Sequence, residues 1–264
     1  NAVCHSLHNG ALASSTKYLS INPASISIDK TQFEISHLLL PANIKNSNIS
    51  LSWLRKKNIY FFKINTINYG ILKDDFDNIE FTANDLSIEL GQKFRYKNLF
   101  SIGYSFGYIK SSIYKYYASG FYNNLGLRMN ILNERISIGA TLNHAGLQIK
   151  SFIDNSEIFP TSLRCGVAFR PLYLPVNIYF DLINYLKYKN KKFQIGFDFK
   201  IKDRINFRLS TVNTRNNLNT GQYYKDILNN FSFGFGFIIN NKNINISIQN
   251  IGPAGMIYGF SILI

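Results

Sequence analysis

Residues 231–250, FSFGFGFIINNKNINISIQN, carry the most constraining pattern of the chain, a strict alternation of bulky apolar residues with small or polar ones. Successive side chains of a β-strand point to opposite faces of the sheet, so a period of two predicts two strands here. The polar NNKN stretch between the two runs predicts a tight turn, which makes the pair a β-hairpin. One face of this hairpin is bulky and apolar, and the other is small or uncharged.

The same alternation continues along the chain and predicts fourteen strands. They are expected at residues 31–40, 47–55, 58–70, 80–95, 98–114, 121–131, 135–145, 159–170, 175–186, 192–201, 204–216, 230–240, 243–250 and 254–264. Tight connections alternate with longer ones, of which the KYYASG stretch is expected to be one. Short periplasmic turns, longer outer loops and an even strand number are typical of outer-membrane barrels.

The competing fold is a soluble β-sandwich, which would also have one apolar face and one polar face. Two features favour a barrel in lipid: strands of about 10 residues exceed the usual ~5–6 of soluble sheets, and the polar face is crowded with Gly and Ser. We therefore predict an all-β fold, a 14-stranded antiparallel transmembrane β-barrel, over residues 31–264. Residues 1–30 do not have a strand pattern, bend at Asn22, Pro23 and Ala24, and resemble a segment that could plug the barrel.

The formal net charge of +14, from 29 Lys and Arg against 15 Asp and Glu, indicates an anionic neighbour. The basic residues gather at predicted connections, whereas nucleic-acid binding would need a groove with interleaved aromatic residues. We expect lipid and lipopolysaccharide as partners and no nucleic acid. Phosphate contacts are expected at Lys187, Lys189, Lys191 and Lys192; the alternative is that these are ordinary solvated turn lysines.

Strand parity places five charged residues on the polar face, which would line the lumen: Asp85, Glu89, Asp198, Lys200 and Arg208. They could line an open pore or a ligand site. They could also form an internal hydrogen-bond and ion-pair network in a filled barrel, since confined charges need partners or water. The small number of lumenal charges favours the network.

No pattern for catalysis, a cofactor or a metal stands out. Cys4 and Cys165 are expected to be free thiols, and the cluster of Cys4, His5 and His8 comes from one end of the chain only, which does not suit a metal site. His144 has the outward phase of its predicted strand, near the outer rim. A rim lipase would require a serine or an acid bonded to it, and no such motif accompanies it, so we expect no enzyme.

Several stretches resemble a known family. They are NPA at 22–24, SIGYSFGYIKSSIYKYYASGFYNNLGLRMN at 101–130, ISIGATLNHAGLQIKSF with EIFPTSLRCGVAF within 136–169, and the ending FSFGFGF…QNIGPAGMIYGFSILI. These resemble the FadL-like barrels of Bacteroidetes, including the PorV and PorQ components of the type IX secretion system. The segment FPTSLRCG at 159–166, which resembles the PorQ pattern L-P-x-x-L-x-x-G, and the short chain favour a PorQ-like member.

The resemblance implies a 14-stranded outer-membrane barrel, which agrees with the strand count. It also implies a non-catalytic component of type IX protein secretion that docks partner proteins at the cell surface. The alternative is a FadL-like channel for small hydrophobic ligands. Either function would place the mature protein, with its signal peptide removed, in the outer membrane of a Gram-negative bacterium.

Overall fold

The computed structural model of the chain is a closed antiparallel β-barrel, which confirms the predicted fold class. The described residues are 1–8, 10–19, 21–74, 79–97, 99–132, 135–153, 159–187, 190–201, 204–213, 229–240 and 242–264. Among them no helix is long and apolar enough to cross a membrane.

Fourteen strands form the barrel within the described residues, each paired to its neighbours in sequence. They are β1 Gln32–Leu39, β2 Lys45–Arg55, β3 Asn58–Lys73, β4 Glu80–Tyr96, β5 Phe100–Ile113, β6 Tyr116–Ile131, β7 Ile136–Lys150, β8 Ser162–Phe169, β9 Val176–Tyr185, β10 Asn190–Ile201, β11 Ile205–Val212, β12 Phe231–Ile239, β13 Lys242–Asn250 and β14 Met256–Leu263. A short helix, α1 Ala2–Ser6, precedes them, and single 3₁₀ turns cover Pro41–Asn43 and Gly252–Ala254.

The first and last strands close the barrel. β1 pairs with β14 from Glu34 opposite Leu263 to Leu39 opposite Tyr258. Phe33 and Ile264 then exchange two backbone hydrogen bonds, of 3.0 and 2.9 Å, beyond the end of that ladder. Closure leaves no strand edge facing lipid, where backbone groups could not bond to water.

The alternation places the bulky side chains outside and the small polar ones inside, as predicted. In β12, Phe235 is 53% exposed whereas Ser232 is fully buried. In the partner strand Ile246 and Ile248 are exposed, and Asn245 and Ser247 are buried. An outside that is apolar and an inside that is polar is the arrangement of a barrel in lipid and the reverse of a soluble protein.

The barrel wall is taller on one side. Strands β3 to β7 have 14 to 17 residues, whereas the other strands have 8 to 12. The expected longer connection over KYYASG is wrong, because β5 and β6 extend until only Tyr114 and Lys115 join them. The small residues of that stretch pair within the ladder, with Ser119 opposite Lys110.

Both ends of the barrel-forming chain lie at one end, together with the short turns after β2, β4, β6, β10 and β12. We call this the periplasmic end and the opposite one, which includes the two-residue β5–β6 turn, the outer end. Pairing shifts register at three places in the tall wall, between Asn68 and Ile71 on β3 and twice between β6 and β7. The β6–β7 shifts matter for function because each bulge reverses which face the following residues occupy.

The outward phase of β12 yields a stability test. We expect Phe235→Arg to lower the free energy of unfolding in lipid by about 2–4 kcal/mol, since Phe235 lies midway along a spanning strand. The matched control is Ile239→Arg at the strand end, with the same 53% exposure, which should cost only about 0–1 kcal/mol. Urea unfolding in vesicles, followed by the emission of the single tryptophan, Trp53, measures both. Equal costs would contradict the membrane placement.

Candidate functional site

The lumen holds the N-terminal segment, residues 1–28, which we call the plug. Its helix α1 packs against β12, β13 and β14. The bend at Asn22, Pro23 and Ala24 is buried and lies on β5 and β6, so close that a Cβ at Gly103 would collide with the Pro23 and Ala24 backbone. The glycines of the lumenal face thus provide room for the plug.

Buried charged side chains of the wall hold the plug by its backbone. The carboxylate of Asp181 accepts hydrogen bonds from the backbone N–H groups of Ala11, at 2.6 Å, and Leu12, at 3.3 Å. Arg128 donates through Nε to the Ala13 carbonyl at 2.6 Å, and Lys93 donates through Nζ to the Ile26 carbonyl at 2.5 Å. Hydrogen bonds that involve a charged group stabilise by about 1.5–3 kcal/mol each, so these contacts seat the segment firmly.

The bend itself is fixed on both sides. Asn22 donates through Nδ2 to the Leu12 carbonyl at 2.9 Å within the plug and to the Leu127 carbonyl of β6 at 3.1 Å. Its Oδ1 accepts from the Ala24 N–H at 2.9 Å. The three residues singled out by sequence therefore lie at a point where the plug meets the wall.

The five predicted lumenal charges fall into separate groups rather than a single network. Near α1, Arg208 Nε lies 3.4 Å from Asp198 Oδ1. Its NH1 donates to Asn245 Oδ1 at 3.1 Å, and the Asn245 amide donates to the Tyr18 hydroxyl of the plug at 2.9 Å. This group connects three wall strands with the plug.

Lys200 lies apart from that ion pair. It is exposed and borders a polar cleft of about 160 Å³ at the periplasmic end, together with Arg128, Arg135 and Arg170. Strand parity predicted that Lys200 faces the lumen. In the structure it lies at the periplasmic rim of the barrel rather than in the interior.

A second group lies on the tall wall. Glu89 accepts from Ser105 Oγ at 2.5 Å and Asn124 Nδ2 at 3.0 Å, and its Oε2 lies 3.9 Å from Lys63 Nζ and 3.5 Å from the Tyr122 hydroxyl. Asp85 accepts from the Tyr69 hydroxyl at 2.8 Å. None of these bonds reaches the plug.

The outward placement of His144 is wrong. Between Asn123 and Leu125 the ladder has one residue on β6 against two on β7, and His144 has a left-handed φ of 54° there. The bulge turns both Asn143 and His144 inward, and the imidazole stacks on the lumenal Tyr122 at 5.2 Å. Among the described residues its ring has no hydrogen bond to the serine or acid that a lipase would require.

An apolar pocket lies on the lumenal side of the tall wall, toward the outer end. It has a volume of about 200 Å³, and β5, β6 and the connection after β7 line it with Ile109, Ala118, Gly120, Phe152, Phe159 and Pro160. Gln148 and Ser111 supply its few polar side chains. Apolar cavities of about 150 Å³ are large enough to hold benzene, so a single aromatic ring fits here.

The lysines expected to contact phosphates lie near the outer end, around the β9–β10 connection. Lys187 and Lys191 are exposed, and Lys192 Nζ lies 5.5 Å from the centre of the Tyr185 ring. Lys189 lies outside the described residues.

Cys4 and Cys165 are both free, and the described residues contain no group of three or more His, Cys, Asp or Glu side chains that could hold a metal.

Sequence reasoning missed several buried charges, of which Lys93, Arg128 and Asp181 contact the plug. Glu34, 2% exposed, accepts from Ser50 at 3.5 Å on the lumenal face of β1. Each of these occupies the lumenal phase of its strand, so parity could have found them. Parity could not have shown that the plug is their partner.

Comparison with known proteins identifies the fold. The crystal structure of the P. putida toluene transporter TodX superposes with a TM-score of 0.69 at 12% identity, covering 100% of this chain and 95% of that one. The Ralstonia pickettii toluene transporter TbuX gives 0.65 at 10%, covering 100% and 96%. The monoaromatic hydrocarbon channel CymD gives 0.65 at 10%, covering 99% and 94%.

These three structures are FadL-family outer-membrane barrels, so the chain has a FadL-like fold. At such identities the likeness shows the fold alone. No protein-family model and no curated protein matches the sequence.

The contacts of Asp181 give a test of how the plug is held. Asp181→Ala removes the acceptor of two backbone N–H groups, so amide exchange at Ala11 and Leu12 should accelerate by at least about ten-fold. Hydrogen exchange with mass spectrometry measures this. Asp85→Ala is the matched control, because the Asp85 carboxylate accepts a hydrogen bond from Tyr69 of the wall. Unchanged exchange in Asp181→Ala would contradict the assigned anchor.

The two histidines of the plug predict a pH dependence. Burial lowers the pKa of His5 from 6.5 to about 3 and that of His8 from 6.5 to about 4. Both are neutral in the seated plug and bind protons when exposed, so the folded values lie below the unfolded ones. The seated state therefore has its full stability above about pH 6.5 and loses it as the pH falls from there toward about 4.

Exchange of residues 2–8 at pH 7 and pH 5, corrected for the intrinsic rate at each pH, measures this loss. We expect more exchange at pH 5 in the natural chain. In His5→Asn/His8→Asn the increase in exchange at pH 5 should be lost, since asparagine does not titrate. The same increase in the double variant would contradict the assignment.

Proposed function

We propose that this chain is an outer-membrane channel through which a small hydrophobic molecule, of about the size of one aromatic ring, enters the cell. The apolar pocket beside β5, β6 and Phe159 carries the proposal. Its size and lining suit such a ligand, and it lies toward the outer end of a lumen that is otherwise polar. The FadL-like structures named above are described as toluene transporters and a monoaromatic hydrocarbon channel, which supports the same ligand class.

The pocket is suited to capture rather than to free diffusion. Burial of apolar surface stabilises a ring by roughly 25 cal/mol per Å², and the polar groups at the rim, Gln148 and Ser111, do not compete with an apolar ligand for hydrogen bonds. A large hydrophilic solute would find no partner among Ile109, Phe152 and Phe159.

The plug blocks the route from this pocket to the periplasmic end. Its backbone is bonded to Asp181, Arg128 and Lys93 on separate strands, and Tyr18 joins the Arg208 group. Passage along the barrel axis therefore requires these polar contacts to open. Each contact to a charged group contributes about 1.5–3 kcal/mol, and water that enters the lumen can replace the lost partner, so the plug can act as a gate that opens at a finite cost.

The docking function implied by the type IX secretion resemblance stays a prediction. The outer connections that would contact a partner include residues 75–78, 154–158 and 214–228, which lie outside the described residues. The apolar pocket is a specific feature that a channel uses and a docking platform does not, and for that reason we place the channel first.

Filling the pocket tests the proposal. Ala118 is 8% exposed and lines the pocket, so Ala118→Leu places three further carbon atoms inside it. We expect uptake of radiolabelled toluene by cells that express the chain to fall by at least about five-fold, because the added atoms occupy the space of the ring.

The control is Leu127→Phe on the lipid-facing side of the same strand, where Leu127 is 47% exposed. It should leave uptake unchanged. If Ala118→Leu assembles as a barrel and takes up toluene as fast as the natural chain, the pocket is not on the route and the proposal is wrong.

A further inference from the structure

Two lysines flank one tyrosine on the outside of the tall wall, near its outer end. Lys150 Nζ of β7 lies 3.6 Å from the centre of the Tyr117 ring on β6, and Lys110 Nζ of β5 lies 5.0 Å from it. We call Lys110, Tyr117 and Lys150 the lysine patch. The ring attracts both ammonium groups through its negative face, and so holds two like charges close together.

Strand register makes this patch a row across three strands. Ser119 pairs with Lys110 on one side and with Lys150 on the other. On β7, Leu147 faces outward, and simple alternation would turn Lys150 inward. The register shift between Ser119 and Gly120 adds one residue to β7 and returns Lys150 to the outside. This register shift is therefore what brings Lys150 to the patch.

The height of the patch matches a membrane boundary. From the periplasmic end upward, the outward residues of β6 are Met129, Leu127, Leu125, Asn123 and Phe121. All but Asn123 are apolar, and its Oδ1 accepts a hydrogen bond from the neighbouring Tyr104 hydroxyl. Ser119 and Tyr117 follow, at the end of this apolar band. Aromatic and basic side chains at the edge of such a band lie at the level of lipid headgroups.

A groove runs along the lipid-facing wall directly below the patch. It has a volume of about 620 Å³ and is lined mainly by apolar groups, among them Phe106, Phe121, Leu147 and Ile149. Phe106 and Phe121 stack at 5.1 Å and form one of its walls. Its volume and its apolar lining suit a hydrocarbon chain that lies against the barrel.

The positive charge of the patch is not balanced within the described part of the chain. The ion pairs there join Lys63 to Glu89 and Arg208 to Asp198, and neither includes Lys110 or Lys150. Two adjacent ammonium groups at a headgroup level attract a phosphate, which can accept hydrogen bonds from both.

We propose that the lysine patch and the groove below it form a binding site for a phosphorylated, acylated glycolipid of the outer leaflet. Its phosphate lies between Lys110 and Lys150, and one acyl chain lies in the groove along Phe121 and Leu147. The site is separate from the lysines of the β9–β10 connection. It requires the barrel to span an outer membrane but does not require the barrel to conduct, so its failure would leave the proposed channel function intact.

Native mass spectrometry of the full chain in detergent micelles, titrated with bisphosphorylated lipid A, tests the site. We expect one tightly retained lipid A per natural chain. Lys110→Gln/Lys150→Gln should weaken its binding by at least about ten-fold, since both cations near the phosphate are lost. Lys56→Gln/Lys57→Gln, at the periplasmic turn between β2 and β3, removes the same charge and should bind as the natural chain does.

A second arm uses the natural chain alone and so does not depend on any variant folding. Lipid A from which both phosphates have been removed should bind at least about ten-fold more weakly than the bisphosphorylated form, and phosphatidylglycerol should not displace the latter at equal concentration. Equal binding of the dephosphorylated lipid would show a groove that holds acyl chains without headgroup recognition. That result, or equal losses in the two lysine double variants, would overturn the proposal.

Discussion

The closure of the backbone hydrogen-bond ladder between β1 and β14 is the constraint on which the rest of the structure depends. A sheet in lipid cannot leave an edge unpaired, since no water is present to bond its N–H and C=O groups. Closing fourteen strands fixes the circumference of the wall, and the alternation of each strand then fixes two surfaces. The outer one is apolar, and the inner one is polar and encloses a space too large for small side chains alone to fill.

The plug fills the periplasmic part of that space, and small wall residues give it room. The bend approaches Gly103 with its backbone and Gly126 with the Asn22 side chain, so closely that a side chain at either glycine would collide with it. Buried cations and one buried carboxylate then bond the plug's backbone. Toward the outer end the tall wall leaves an apolar pocket instead. A polar lumen that is filled below and has an apolar pocket above is suited to capture a small hydrophobic molecule before a gate.

The strands were predictable because alternation is a local signal. The hairpin at 231–250 has the lipid-facing aromatics and the lumenal Ser and Gly that its pattern predicted. His144 was misplaced and Lys150 went unnoticed for one shared reason, since period-two reasoning assumes that the period never slips. His144 lies in one bulge between β6 and β7, and Lys150 follows the other. The pairing of Ser119 within the ladder was also unexpected, since Ala, Ser and Gly at 118–120 resemble a loop.

The site was less predictable than the wall. Parity placed Asp198 and Arg208 in the lumen, where they form an ion pair, but it could not show that Asp181 bonds a backbone 170 residues away in sequence. Such contacts depend on how the plug enters the barrel, which no local pattern contains. The pocket likewise arises from β5, β6 and the connection carrying Phe159, and none of these segments signals it alone.

Conductance across a planar bilayer tests the central claim, a closed barrel whose lumen is filled by its own N-terminal segment. The full chain is predicted to show no steady open-pore conductance in potassium chloride, whereas a chain that begins at Asp29 is predicted to conduct continuously. A full chain that conducts as steadily as the shortened one would contradict the account.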